Sequence, residues 1–455
     1  MAASDSITWD FDQARQMGAK ASSSSTITSN VRDLLRDPRR PQAIQHVTLR
    51  GVAQIRHLQR GFFTKKLTPD EIKTLNKWIS EAQPAENKPG PTCSQGQDEQ
   101  DASSLLIAVL SELANLKTLE VQTFDRTAED EEAQLHPAGD QVTARLLQHL
   151  TTCSTSTAPG GAGHALETAR ILVPRPEDDP EDEMDYYVYP TSLTPLFSLP
   201  NIQRIEAHRI DDGRKPLVVV PATNNAPATT TTTTSQTLRE LRLVRCQLTE
   251  ESLAAVLAAS PNLTTLHCDL VLDAAHVSDW FDLDTVRESL DGLRGSLEDF
   301  SFALNLWSST AIDCGNGGSW GIRGSLGSLG DFGRLTRLSV SLPVLLGWYV
   351  RGSAKLADVL PAGLQFLRIT NEMYFWWHYE WNGFGWDKKR DDETPRWGWI
   401  EEKIVVYLDS RPGSLEEVVL DISTSDGGAR GVHLRDTLVS KGQDVGIKVA
   451  VNFKP

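Results

Sequence analysis

LRELRLVRCQLTEESLAAVLAASPNLTTLHC, residues 238–268, contains two copies of one short pattern with a second kind of pattern between them. In LRELRLVRCQL, Leu238, Leu241, Leu243, Cys246 and Leu248 fall at the apolar positions of LxxLxLxx(N/C)xL. Residues two apart point to the same side of a strand, so Leu241 and Leu243 face a core while Glu240 and Arg242 face away. Cys246 then offers a small group beneath the turn that follows. In TEESLAAVLAASPNL the period changes: Leu253, Val256 and Leu257 line one face of a helix that ends at Pro261.

Outward from this stretch, LxxLxL or a close variant recurs as LKTLEV (116–121), IQRIEA (202–207), LTTLHC (263–268), LEDFSF (297–302), LTRLSV (335–340), LQFLRI (364–369) and LEEVVL (415–420). IQHVTLRG (44–51) reads as a first strand and VGIKVAVNF (445–453) as a last one. Helical spacing lies between them: Leu105, Leu106, Val109, Leu110 and Leu113; Val286, Leu290 and Leu293; Leu356, Val359 and Leu360; Ile400, Ile404, Tyr407 and Leu408. LTPDEIKTLNKWI opens a helix with Thr68 as N-cap, Pro69 at the first helical position, Glu71 closing a capping box and Leu67 able to pack on Ile72.

This alternation predicts an α/β fold: an irregular leucine-rich-repeat solenoid, or horseshoe, with a curved parallel sheet on its concave side and helices outside. The steps between copies are uneven, so repeats carry insertions. The array is read over 41–455, after an N-terminal tail (1–40) that is partly disordered. The loop insertions fall at about 82–101, 125–137, 154–186, 211–236, 308–325 and 371–398, where Pro, Gly, Thr or acidic runs bury too little apolar surface to offset the entropy of ordering them.

Composition narrows the function. A formal net charge of -16 disfavours nucleic acid and anionic membranes, both of which attract Lys and Arg. The acidic start MAASDSITWDFDQARQ lacks the apolar segment of a secretory signal, and runs such as LLIAVL are too short to span a bilayer, so a cytoplasmic or nuclear address is expected. The five Cys form no CxxC pair, which points to reduced thiols rather than a zinc site or a disulfide framework. HExxH, GxSxG and GxxxxGK(S/T) are absent, and GNGGSWGIRGSLGSLG (315–330) lacks the spacing that cradles phosphate. The acidic pairs Asp178-Asp179 and Glu401-Glu402 read as solvated faces. The expectation is a protein that is not an enzyme and takes no cofactor and no metal.

Candidate binding residues come from the outward positions of the strands. Arg242, His267, Arg337, Phe366 and Arg368 would stand in columns on the concave face, a mixture of both charges and an aromatic that suits a protein partner. The other candidates lie in MYFWWHYEWNGFGW (373–386), within a region where six of the twelve Trp lie between Trp376 and Trp399. Trp376, Trp377 and Trp381 either cover the edge of the array or anchor a partner beside Arg337 and Arg368, since Trp, Tyr and Arg dominate binding hot spots.

VRDLLRDPRRPQAIQHVTLRG (31–51), LLIAVLSELANLKTLEV (105–121), LRELRLVRCQLTEESLAAVLAASPNLTTL (238–266), GSLGSLGDFGRLTRLSVSLPVLLG (324–347) and LADVLPAGLQFLRI (356–369) resemble the fungal leucine-rich-repeat proteins of the F-box type. The resemblance implies, beside a non-enzymatic scaffold, a substrate-recognition subunit of an SCF-type ubiquitin ligase whose partner is a cullin-ligase adaptor. Residues 1–30 carry no recognisable F-box, and LTPDEIKTL, which looks like an F-box opening, runs into a Pro/Gly/Gln loop.

Overall fold

A computed structural model describes residues 6–11, 24–37, 39–52, 67–82, 102–122, 143, 145–151, 163–173, 193–212, 235–273, 281–307, 322–347, 353–372, 396–423 and 429–454. The strands are β1 (Ser6–Asp10), β2 (His46–Arg50), β3 (Thr118–Gln122), β4 (Thr168–Leu172), β5 (Arg204–His208), β6 (Glu240–Cys246), β7 (Thr265–Asp273), β8 (Phe281–Asp282), β9 (Asp299–Trp307), β10 (Ile322–Arg323), β11 (Arg337–Val340), β12 (Phe366–Ile369), β13 (Glu417–Ser423) and β14 (Lys448–Lys454). The helices are α1 (Ser24–Arg36), α2 (Arg40–Ala43), α3 (Pro69–Ala82), α4 (Ala102–Ser111), α5 (Glu250–Ala258), α6 (Leu283–Leu290), α7 (Leu342–Leu346), α8 (Leu356–Val359), α9 (Arg396–Asp409) and α10 (Ala429–Val445). The fold is mixed α/β around one large parallel sheet of twelve strands, ordered β1-β2-β3-β4-β5-β6-β7-β9-β11-β12-β13-β14, while β8 and β10 form a separate parallel pair.

The chain divides into two compact units. Among the described residues the first holds β1 to β5 with α1 to α4, and the second runs from Arg239 and includes Asp212. All eight LxxLxL segments contribute strands of the sheet. In each, the inward residues are sealed from water: Leu119 and Val121, Leu241 and Leu243, Leu338 and Val340, Leu367 and Ile369 are at most 1% exposed. Burying each such side chain is worth about 2 kcal/mol, which is what binds each strand to its helical layer.

Two backbone devices repeat along the array. The carbonyl just before a strand recurrently accepts two N–H groups from the next repeat: Gln45 O from Lys117 and Thr118, Lys117 O from Glu167 and Thr168, Arg239 O from Thr264 and Thr265, Thr264 O from Glu298 and Asp299. The second device follows the strand. Aligning IQHVTLRGV (44–52), IQRIEAHRI (202–210) and LRELRLVRC (238–246) puts Gly51, Arg209 and Arg245 in one column, and these three have φ of 66°, 52° and 54°. A left-handed residue there breaks the period of two, so the residue after it turns inward in place of its neighbour. Val52, Ile210 and Cys246 are accordingly 0% exposed. This accounts physically for the two-residue gap in LxLxx(N/C).

Helix α3 begins as expected. Thr68 N–H donates to Glu71 Oε2 at 2.6 Å and Glu71 N–H to Thr68 Oγ1 at 3.3 Å. Glu71 also accepts from Arg36 Nε of α1 at 2.6 Å. Burial would raise the Glu71 carboxyl, but the Thr68 N–H and the Arg36 guanidinium outweigh it and hold its pKa below the ordinary 4.5.

Several expectations are corrected. The first strand is β1, paired in register with β2 from Ser6–His46 to Asp10–Arg50, not IQHVTLRG. SITWDF alternates Ile7, Trp9 and Phe11, at 6%, 2% and 1% exposure, and it carries no leucine to mark it. Residues 1–40 are thus no simple tail, for α1 buries Ile27, Val31 and Leu34. The 154–186 insertion contains β4, whose pattern LETARI substitutes Ala169 for the middle leucine because a small residue fits between Leu119 and Ile205. The 308–325 insertion contains β10. The remaining insertion spans lie largely outside the described residues.

Candidate partner-binding face

The strands of each unit alternate buried and half-exposed residues, so one face of the sheet is packed and the other presents side chains. In the second unit, register places the outward side chains in rows. The first row is Glu240, Thr265, Asp299, Arg337, Phe366, Glu417 and Lys448. The second is Arg242, His267, Ser301, Ser339, Arg368, Val419 and Ala450. Five of the residues singled out in the sequence therefore share one face: Arg242 beside His267, and Arg337 beside Phe366 with Arg368 in the row above. Trp376, Trp377 and Trp381 lie outside the described residues.

Arg337 stacks its guanidinium carbon 4.3 Å from the centroid of the Phe366 ring and sets its Nε 3.4 Å from Asp299 Oδ2. Arg242 Nε donates to Glu240 Oε1 at 2.5 Å, and Lys448 Nζ lies 2.7 Å from Glu417 Oε1. Arg368 donates through Nε at 2.9 Å and pairs through Nη2 at 2.8 Å with one oxygen of Asp421, whose other oxygen accepts Asn452 Nδ2 at 3.1 Å. The Asp421 side chain is fully buried while Arg368 keeps 35% of its own exposed. Cation and carboxylate alternate in pairs, which leaves this face close to neutral.

Beyond these rows, Asp269 of β7 sits beside Ala303 of β9 and accepts Asn305 Nδ2 at 3.1 Å. Burial pushes its carboxyl up, only partly offset by Arg245, His267 and Asn305. His267 is half-buried near this carboxylate, and no group of three metal-ligating side chains occurs among the described residues. Burial likewise pushes the Cys268 thiol far upward, which suppresses its nucleophilic thiolate form.

The first unit builds a different face. Arg170 Nη1 donates to Glu120 Oε2 at 2.6 Å and its Nε to Glu206 Oε2 at 3.1 Å, so one guanidinium bridges the carboxylates of both neighbouring strands. His208 Nε2 lies 3.1 Å from Glu206 Oε1 and Arg204 Nη2 lies 3.5 Å from Glu206 Oε2. Burial would raise the Glu206 carboxyl, but hydrogen bonds from Arg170 and His208 outweigh it and depress its pKa. Glu120, Arg204 and Glu206 occupy outward positions of LKTLEV and IQRIEA, whereas Arg170 was missed because β4 itself was missed. Asp421 escaped notice for another reason: it lies past the end of LEEVVL, and its partner Arg368 is far away in the chain.

No described helix is long and apolar enough to cross a membrane. Neither a scan against protein-family models nor a search of curated proteins finds a match to this chain.

Proposed function

We propose that this chain is a leucine-rich-repeat horseshoe that binds a protein partner on the uncovered face of its sheet, as a scaffold rather than an enzyme, in the cytoplasm or nucleus. Parallel strands ordinarily have both faces covered. Here Arg337 is exposed and Phe366 and Arg368 are half-exposed, and that observation supports the reading most strongly. The paired charges suit a polypeptide, because a phosphate backbone selects unpaired Lys and Arg. A half-exposed aromatic stacked on an arginine matches the enrichment of aromatic residues and Arg at protein interfaces. The resemblance to F-box proteins adds a second role, recognition of substrate for a ubiquitin ligase.

Proximity labelling with the full chain, followed by affinity measurement of the recovered protein, tests this. Arg337→Glu and Phe366→Ala are expected to weaken that binding at least tenfold with little change in melting temperature. Wild-type binding by both variants would remove the face from consideration. Co-precipitation of the cullin-ligase adaptor would select the ligase role; its absence beside retained partner binding selects the scaffold.

A further inference from the structure

Between the Asp299–Arg337 pair and the far ends of β9 and β11, the outward side chains of these strands are small. Ser301 and Ala303 stand beside Ser339, between the His267 of β7 and the Arg368 of β12. The Asp299–Arg337 pair closes one end of this low strip. Small residues alone are ordinary filling for a sheet face. The other end of the strip differs.

There, Ser341 Oγ and Thr370 Oγ1 are buried without a hydrogen-bond partner, in residues 0% and 7% exposed. Ser341 occupies the N-cap position of α7 yet makes no side-chain cap bond, and its backbone is extended, with φ −80° and ψ 148°. Its hydroxyl therefore stays on the side of Ser339, two residues earlier. Thr370 N–H donates to Val340 O at 3.1 Å, which continues the β11–β12 register and sets Ser341 and Thr370 side by side just past the ends of those strands. Two neighbouring buried hydroxyls without partners are unfavourable, and a group that bonds both relieves them. Strands lie about 4.8 Å apart, a span that one carboxamide covers by accepting from one hydroxyl and donating to the other.

Charge argues in the same direction. Of the charges flanking the strip, Asp299 is matched with Arg337 and Asp421 with Arg368, while the Asp269 carboxyl beside Ala303 accepts Asn305 Nδ2 and burial disfavours its charged form. A charged guest would enter a partly buried place that offers it no strong counter-ion. We propose that this strip seats an extended, uncharged segment of the protein partner, with an Asn or Gln carboxamide hydrogen-bonded to Ser341 Oγ and Thr370 Oγ1. The small floor lets the guest backbone approach, and Phe366 and His267 bound it. The inference rests on the partner-binding reading and gives it a chemistry.

The test is titration of the full chain, by fluorescence anisotropy, with a capped, labelled octapeptide of Ser, Gly, Asn and Gln. Three counterparts replace Asn and Gln by Asp and Glu, by Lys, or by Ala. The neutral amide peptide is expected to bind at least tenfold more tightly than each counterpart. Ser341→Ala with Thr370→Val should weaken it about tenfold without lowering the melting temperature, since these hydroxyls satisfy nothing in the free protein. Ser339→Trp, which fills the floor, should abolish it. Equal binding of the alanine or charged peptides overturns the proposal. Wild-type affinity in the double variant also overturns it, by showing that the hydroxyls are served by buried water. If the octapeptide fails while the proximity-labelled protein still depends on Arg337 and Phe366, this inference falls and the partner-binding reading stands.

Discussion

The outward faces of the two units spend their charges differently. In the first, Arg170 joins Glu120 and Glu206 across three strands, and Glu206 is held in addition by His208 and Arg204. In the second, pairs stand apart from one another, and between them lies a strip of small residues ending in two unpartnered hydroxyls. A continuous network ties its own cations and carboxylates together across strands. Isolated pairs around a low strip leave room and unused hydrogen-bonding capacity. The same repeat thus yields a networked face or one of separate pairs, depending on the outward residues.

Removing one cation from each unit tests this contrast most severely. Arg368→Ala removes the guanidinium paired with the fully buried Asp421 and should cost about 3 kcal/mol, as breaking a buried ion pair does. Arg170→Ala should cost less, about 2 kcal/mol, because Glu206 keeps His208 and Arg204 and is not fully buried. Urea denaturation followed through each unit measures both. A larger loss at Arg170 would mean that the first network is not redundant.

Acid should separate the units next. Glu71 and Glu206 have pKa values depressed below 4.5, so their stabilisation is present above that value and is lost as pH falls through the depressed ones. Asp269 has the opposite sign: its pKa is raised above 3.8, so its contribution is present at low pH and is lost as pH rises through the raised value. Hydrogen exchange, corrected for intrinsic rates, should show β3 to β5 losing protection on acidification before β6, β7 and β9. Simultaneous loss would break the contrast.

Smaller effects sharpen it. Thr68→Ala removes half of the capping box of α3 and should cost about 1 kcal/mol in thermal denaturation. At the shared left-handed position, Gly51→Ala should also cost about 1 kcal/mol, since a Cβ is disfavoured at φ of 66°. Arg245→Gly should be within about 0.5 kcal/mol of wild type, because relief of the left-handed strain offsets the entropy of a new glycine. A large loss there would show that the Arg245 side chain, near Asp269, matters more than its backbone.

Much of the array was legible because it is written in local chemistry. The eight LxxLxL segments, the α3 capping box and the inward residues of α5 and α9 required only the strand period of two, the helix period of 3.6 and the rules of helix ends. β1 and β4 were not legible in the same way. Trp9 and Ala169 fill inward positions without being leucine, and what makes them suitable is the volume left by neighbouring repeats. The candidate face was half legible: Arg242, His267, Arg337, Phe366 and Arg368 follow from alternation, whereas their pairing does not.

By itself, the sequence determined which side of each recognised strand meets the core, since a strand's alternation is a property of its own backbone. It also marked where α3 starts, because capping joins residues three apart. Only the tertiary structure decided that Arg368 neutralises Asp421, that Arg170 bridges Glu120 and Glu206, and that Ser341 stands beside Thr370. Those neighbours belong to different repeats, and cross-strand register is set when the intervening loops close and the shared core packs, which no local period specifies.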